Sequence, residues 1–156
     1  MGMDIYGSDP SSDEGESFDI SSCGWHMILL LMRLANEQSN TDLVSEKLLA
    51  SMKYNDGSGL NTQKECNLMA DALEKLIENK QVLTDSCLIV EEDGPNTYIR
   101  SMVGNNTAID RSGRILSQEE IKTMPKEEVF SAYCIGYDQV HEFIEFLRCC
   151  GGFEVC

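Results

Sequence analysis

Hydrophobic positions along the chain switch period from two to helical, back to two and then to helical again, and each switch marks an element. Met3-Asp4-Ile5-Tyr6 alternates as a short half-buried strand does, and the Ser-, Gly-, Asp- and Glu-rich remainder of residues 1–22 reads as an acidic loop. Between Trp25 and Ala35, the residues Trp25, Ile28, Leu29, Met32 and Ala35 keep helical spacing, while Met27, Leu30, Leu31 and Leu34 fill the other side. A helix that is apolar all round is covered on most sides, so this one is expected at the centre of the molecule. Thr41-Asp42 is expected to open a second helix running to about Met52, followed by a turn over Tyr54-Asn55-Asp56-Gly57-Ser58-Gly59. Thr62-x-x-Glu65 has the form of a capping box, and Cys66, Met69, Ala70, Leu73, Leu76 and Ile77 then hold one helical face.

After this the period falls to two. Cys87-Leu88-Ile89-Val90 and the run Thr97 to Val103 flank the turn formers Glu92-Asp93-Gly94-Pro95-Asn96, which predicts a hairpin. Ala108-Ile109-Asp110 and Arg114-Ile115-Leu116 suggest a weaker strand pair around Arg111-Ser112-Gly113. Ser117-x-x-Glu120 caps a short helix that Pro125 ends, and Val129 to Ile135 reads as a strand. Asp138 is expected to cap a last helix with Val140, Phe143, Ile144 and Leu147 on one face, ended by Gly151-Gly152 before a short strand at Phe153-Glu154-Val155. Helices followed by strands and a further helix, without regular alternation, predict an α+β fold: a single domain over residues 1–156, with a central apolar helix, about four further helices and a small, mostly antiparallel sheet.

Length and charge narrow the function. The 156 residues suffice for one core, and Lys+Arg 12 against Asp+Glu 27 leave a formal charge of −15. Such a field repels nucleic acid, so direct phosphate binding is disfavoured, and it suits a protein that fills a basic groove on another protein. Residues 1–50 are the most negative third, with nine acidic and two basic side chains, so Asp9, Asp13, Glu14, Glu16 and Asp19 are the expected partner-binding residues. Carboxylates a few residues apart can imitate a row of phosphates. The longest apolar run, Met27 to Met32, is too short for a membrane span, and the first twenty residues hold no Lys or Arg, so a cytoplasmic protein is expected.

Seven cysteines without a secretory signal point to thiols or metal ligation and away from a disulfide framework. Cys23-x-x-His26 is half of a zinc site by spacing, and the cluster Cys149, Cys150 and Cys156 near the end of the chain can supply the rest. The stripe of the last helix puts Cys150 at its core edge and Cys149 on the solvent side, so the expected structural zinc set is Cys23, His26, Cys150 and Cys156. Cys66 lies on an apolar stripe and is expected as a small buried side chain. His26 and His141 are the available imidazole bases, and neither has the partners of a nucleophilic site, so no catalytic residue is assigned.

The opening Met1-Gly2-Met3-Asp4-Ile5-Tyr6-Gly7, the stretch Glu14-Gly15-Glu16-Ser17-Phe18 leading to Gly24-Trp25-His26, the loop Tyr54 to Leu60 and the ending Gly151-Gly152-Phe153-Glu154-Val155 resemble a family of small proteins carried by phages and mobile elements. Relatives tend to have an aromatic-rich run before the central helix, where this chain has Ser22-Cys23-Gly24-Trp25, so Cys23 and His26 lie outside what the family implies. In size, acidity and a possible metal site the chain is similar to anti-CRISPR proteins directed at type II RNA-guided nucleases, some of which resemble DNA in charge. That resemblance implies a stoichiometric inhibitor that binds the nuclease and blocks DNA loading or cleavage without chemistry of its own. The alternatives are a small-molecule-sequestering counter-defence protein and a thiol enzyme using Cys149 or Cys23.

Overall fold

The computed structural model describes residues 2–86, 88–102, 108–110, 112, 114–125 and 128–156. Its first strand, β1 (Gly2–Gly7), sits between β2 (Ser17–Ser21) and β7 (Phe153–Val155), antiparallel to both. The expected acidic loop therefore ends sooner than its composition suggests. Phe18 and Ile20 alternate with Ser17, Asp19 and Ser21, and pairing with β1 turns them into the core. The alternation is in the sequence, but a run this short is fixed as a strand only by the partner it pairs with.

The central helix α1 (Ser22–Ser39) follows β2 without a linker, capped by Ser21, whose hydroxyl accepts from the Gly24 amide at 3.1 Å. Nine of its residues are buried, while Cys23, His26, Leu30, Arg33 and Glu37 form one exposed or half-buried stripe, so the helix is covered on most sides. The second helix starts later than Thr41-Asp42 predicts. Asn36 Oδ1 accepts from the amides of Leu43 (2.7 Å) and Val44 (3.2 Å), which holds residues 41–44 in a loop, and Ser45 caps α2 (Glu46–Ser51) instead. The capping box at Thr62 and Glu65 forms and starts α3 (Gln63–Glu78). A short helix not expected from the pattern, α4 (Lys80–Asp85), follows at once from an Asn79 cap.

The hairpin pairs β3 (Leu88–Asp93) with β4 (Asn96–Met102) around a two-residue turn, tighter than the run of turn formers suggests. Gly94 takes φ +62° and Pro95 cannot take positive φ, which selects a type II′ turn, whose twist matches that of the strands. The weaker pair survives as β5 (Ala108–Ile109), tied to the following segment by the Leu116 amide on the Ala108 carbonyl at 2.9 Å. Cys87, Val103, Arg111 and Gly113, expected within these strands and turns, lie outside the described residues. The second capping box, Ser117 with Glu120, opens α5 (Gln118–Thr123). The strand β6 (Phe130–Gly136) completes a second antiparallel sheet of order β3-β4-β6-β5 and runs directly into α6 (Tyr137–Cys149). Gly136, not Asp138, is the cap of α6, because the strand carries the chain straight to that residue; Asp138 sits in the first turn, where a carboxylate suits the helix dipole.

The fold is thus α+β, with two sheets where one was expected and five helices beside the central one among the described residues. The main core joins both sheets to α1, α3 and α6. Five aromatic rings lie at its junction with the first sheet: Phe18 is 5.1 Å from Phe143, Trp25 is 5.8 Å from Phe143, and Phe146 is 6.1 Å from Phe153. Trp25 is locked further by its indole N–H, which donates to the buried Met52 carbonyl at 2.8 Å. A separate small cluster of Ala108, Leu116 and Val129 lies beneath α5. No helix among the described residues is long and apolar enough to cross a membrane.

Candidate functional site

Alternation in the first sheet sends Met3, Ile5, Phe18, Ile20, Phe153 and Val155 inward, and leaves Asp4, Tyr6, Asp19 and Glu154 on the solvent face. Register then groups them. Asp4 is opposite Asp19, and Tyr6 is opposite Glu154 on its other side. Neighbouring strands are about 5 Å apart and same-face residues about 7 Å apart along a strand, so these carboxylates form a compact array. Asp19 was expected here from composition. Asp4 and Glu154 were not, although alternation around Ile5 and Val155 already assigns both to the outer face.

The acidic loop between β1 and β2 is held to the end of α6 by main-chain bonds. Ser8, Asp9 and Ser11 donate their amides to the carbonyls of Gly152 (2.8 Å), Cys150 (2.9 Å) and Cys149 (2.8 Å), and Gly7 donates to Glu16 at 2.9 Å. The bonds to Cys149 and Cys150 satisfy carbonyls of the kind that every helix leaves unpaired at its end. The fit is close: a Cβ on Gly15 would overlap the Cys149 carbonyl oxygen. Gln63 secures the same helix end, donating to the Leu147 carbonyl and accepting from the Gly151 amide at 2.8 and 2.7 Å.

Asp9, Asp13, Glu14 and Glu16 are therefore exposed on a well-anchored loop beside the sheet's own carboxylates. The Ser12 hydroxyl, donating to Glu14, holds its carboxyl below the ordinary value, so this group stays ionised. Negative charge at a helix C-terminus opposes the helix dipole. The basic residue of the last turn, Arg148, does not relieve it, because its guanidinium bonds Asp71 and Glu74 on α3, each at 3.0 Å. Among the described residues no Lys or Arg forms an ion pair with Asp9, Asp13, Glu14, Glu16 or Asp19.

The four zinc candidates are dispersed in character. Cys23 and His26 are exposed at the start of α1, where His26 Nδ1 donates to the Ser22 carbonyl at 2.8 Å. Cys156 is exposed beyond β7, its amide bonded to the Asp4 carbonyl at 2.8 Å. Cys150 is fully buried with its sulfur 3.6 Å from that of Cys66, and among the described residues no group of three or more His, Cys, Asp or Glu side chains is placed to hold a metal ion. Cys149 is half-buried and His141 exposed.

A cleft of about 440 Å³ opens between the end of α1, α3 and α4, with Leu43, Ala72, Leu76 and Val82 as its apolar lining and Lys75 and Asp71 at its polar side. Comparison with protein-family models, curated proteins and solved structures finds no match to the chain.

Proposed function

We propose that this protein is an anti-CRISPR-type inhibitor that binds a type II RNA-guided DNA nuclease stoichiometrically through its acidic N-terminal face and blocks DNA loading or cleavage. The observation that carries the reading is the anchored array of exposed carboxylates: Asp4, Asp19 and Glu154 on the sheet, with Asp9, Asp13, Glu14 and Glu16 on the adjoining loop. Such a nuclease holds its guide–target duplex in a basic channel, where a surface of this charge meets Lys and Arg that otherwise contact phosphates. A prearranged array loses little freedom on binding, which favours affinity. The protein acts by occupancy, in the cytoplasm of the host cell, without contacting nucleic acid.

The test is cleavage of a target duplex by a guide-loaded type II nuclease as the protein is titrated in. Inhibition should saturate near one protein per nuclease and weaken as salt rises from about 0.1 to about 0.5 M, because screening shortens the reach of surface charge. The combined Asp13→Lys, Glu14→Lys and Glu16→Lys variant should lose it. Full inhibition by that variant removes the interface, and a nuclease unaffected by the wild-type protein removes the function. The cleft beside α3 favours a second reading, sequestration of a small molecule; calorimetric titration with cyclic nucleotides giving no heat disposes of that reading.

A further inference from the structure

Cys66 and Cys150 are 84 positions apart in the chain, yet their sulfurs lie 3.6 Å from each other and both residues have no exposed surface. Cys66 belongs to the second turn of α3 and Cys150 is the C-cap of α6, so the pair spans the contact between two core helices. Each could be replaced by a small apolar residue if burial were all that the position required. Two thiols in contact are a different chemical object from two isolated ones. An S–S bond is about 2.05 Å long, so joining them needs about 1.5 Å of closure beyond the present separation.

We propose that Cys66 and Cys150 form a reversible dithiol–disulfide site that takes a peroxide as its two-electron oxidant. One thiolate attacks the O–O bond of hydrogen peroxide, gives a sulfenic acid and releases hydroxide, which takes up the proton lost by that thiol to become water. The second sulfur then attacks the sulfenic sulfur, the S–S bond forms, and the sulfenic oxygen leaves as a second water with the remaining thiol proton. Two thiols are oxidised and one peroxide is reduced to two waters. The second thiol lies 3.6 Å from the first, within reach of a sulfenic sulfur formed on either residue, and a resolving thiol this close favours the disulfide over further oxidation.

The site lies directly under the acidic loop. The carbonyls of Cys149 and Cys150 accept the amides of Ser11 and Asp9, so drawing Cys150 toward α3 displaces the anchor of that loop. The effect on partner binding rests on the inhibitor reading, whereas the disulfide itself does not.

The experiment treats the full-length protein with hydrogen peroxide, caps the remaining thiols with an alkylating reagent and maps non-reduced peptides by mass spectrometry. A peptide pair joining Cys66 to Cys150, two hydrogens lighter than the separate thiols and released by dithiothreitol, is expected, together with altered amide exchange across residues 8–16. Cross-links confined to Cys23, Cys149 or Cys156, with Cys66 and Cys150 alkylated, overturn the proposal. Because burial slows access, the mapping is repeated after equilibration in an oxidising glutathione buffer, where free Cys66 and Cys150 at equilibrium also overturn it. Nuclease inhibition is absent from both readouts, so the failure of either idea is separable from that of the other.

Discussion

Asp4 lies directly opposite Asp19 across the β1–β2 ladder, and both residues are exposed on the outer face of the sheet. Like charges facing each other across strands weaken a sheet by roughly 0.2–1 kcal/mol. The pair is thus a local cost to the fold. Asp19→Asn should raise stability by a few tenths of a kcal/mol in urea unfolding, and the same substitution should weaken nuclease inhibition. A variant that is both less stable and an equally good inhibitor would contradict the assignment of this face to binding.

Gly15 makes the second prediction. A side chain there meets the Cys149 carbonyl, which is main chain and already receives the Ser11 amide. Gly15→Ala should detach the acidic loop from α6 and speed amide exchange over residues 8–16, with destabilisation of about 1–3 kcal/mol by overpacking. Unchanged exchange in the loop would show that the anchor does not depend on this close approach.

The Trp25 indole and the Met52 carbonyl are a buried donor–acceptor pair linking α1 to the end of α2. Trp25→Phe keeps an aromatic ring in the cluster and removes the donor, leaving the carbonyl unsatisfied at a cost of about 1–3 kcal/mol. Urea unfolding should report this as a lower midpoint with an unchanged slope.

Glu120 links stability to pH. The Arg114 guanidinium, bonded to it at 2.6 Å, and the Ser117 amide hold its carboxyl at about 2, against an ordinary value of 4.5. A depressed carboxyl contributes stability that is complete above the unfolded value and is lost as pH falls from about 4.5 through about 2. Glu120→Gln should therefore melt below wild type near neutral pH, with the gap closing on acidification. The group is exposed, so added salt should narrow the gap as well. A gap that persists unchanged in acid would assign the effect to the cap alone.

Zinc binding by Cys23, His26, Cys150 and Cys156 is tested by plasma mass spectrometry of the purified protein, where no metal and freely titrating thiols would remove the site. About one zinc per chain, with thiols released by a chelator, would establish the site that the Cys23-x-x-His26 spacing predicts.

What the sequence determined by itself lies within a few residues of its cause. The capping boxes at Thr62 and Ser117 each form between groups three positions apart, and β1 and α1 carry their burial pattern in their own period. The errors arose where a distant group intervened. Asn36 reached across to hold Leu43 and Val44 out of α2, and β1 converted residues of the acidic loop into β2. Only the tertiary structure decided that Asp4 and Glu154 would join Asp19 on one face, that the loop would rest on Cys149, Cys150 and Gly152, and that Cys150 would meet Cys66. Local hydrogen bonds and periodicity act without closing any long loop. Contacts between the two ends of the chain close long loops and are held by the core around Phe18, Phe143 and Phe153, whose free energy depends on every element at once.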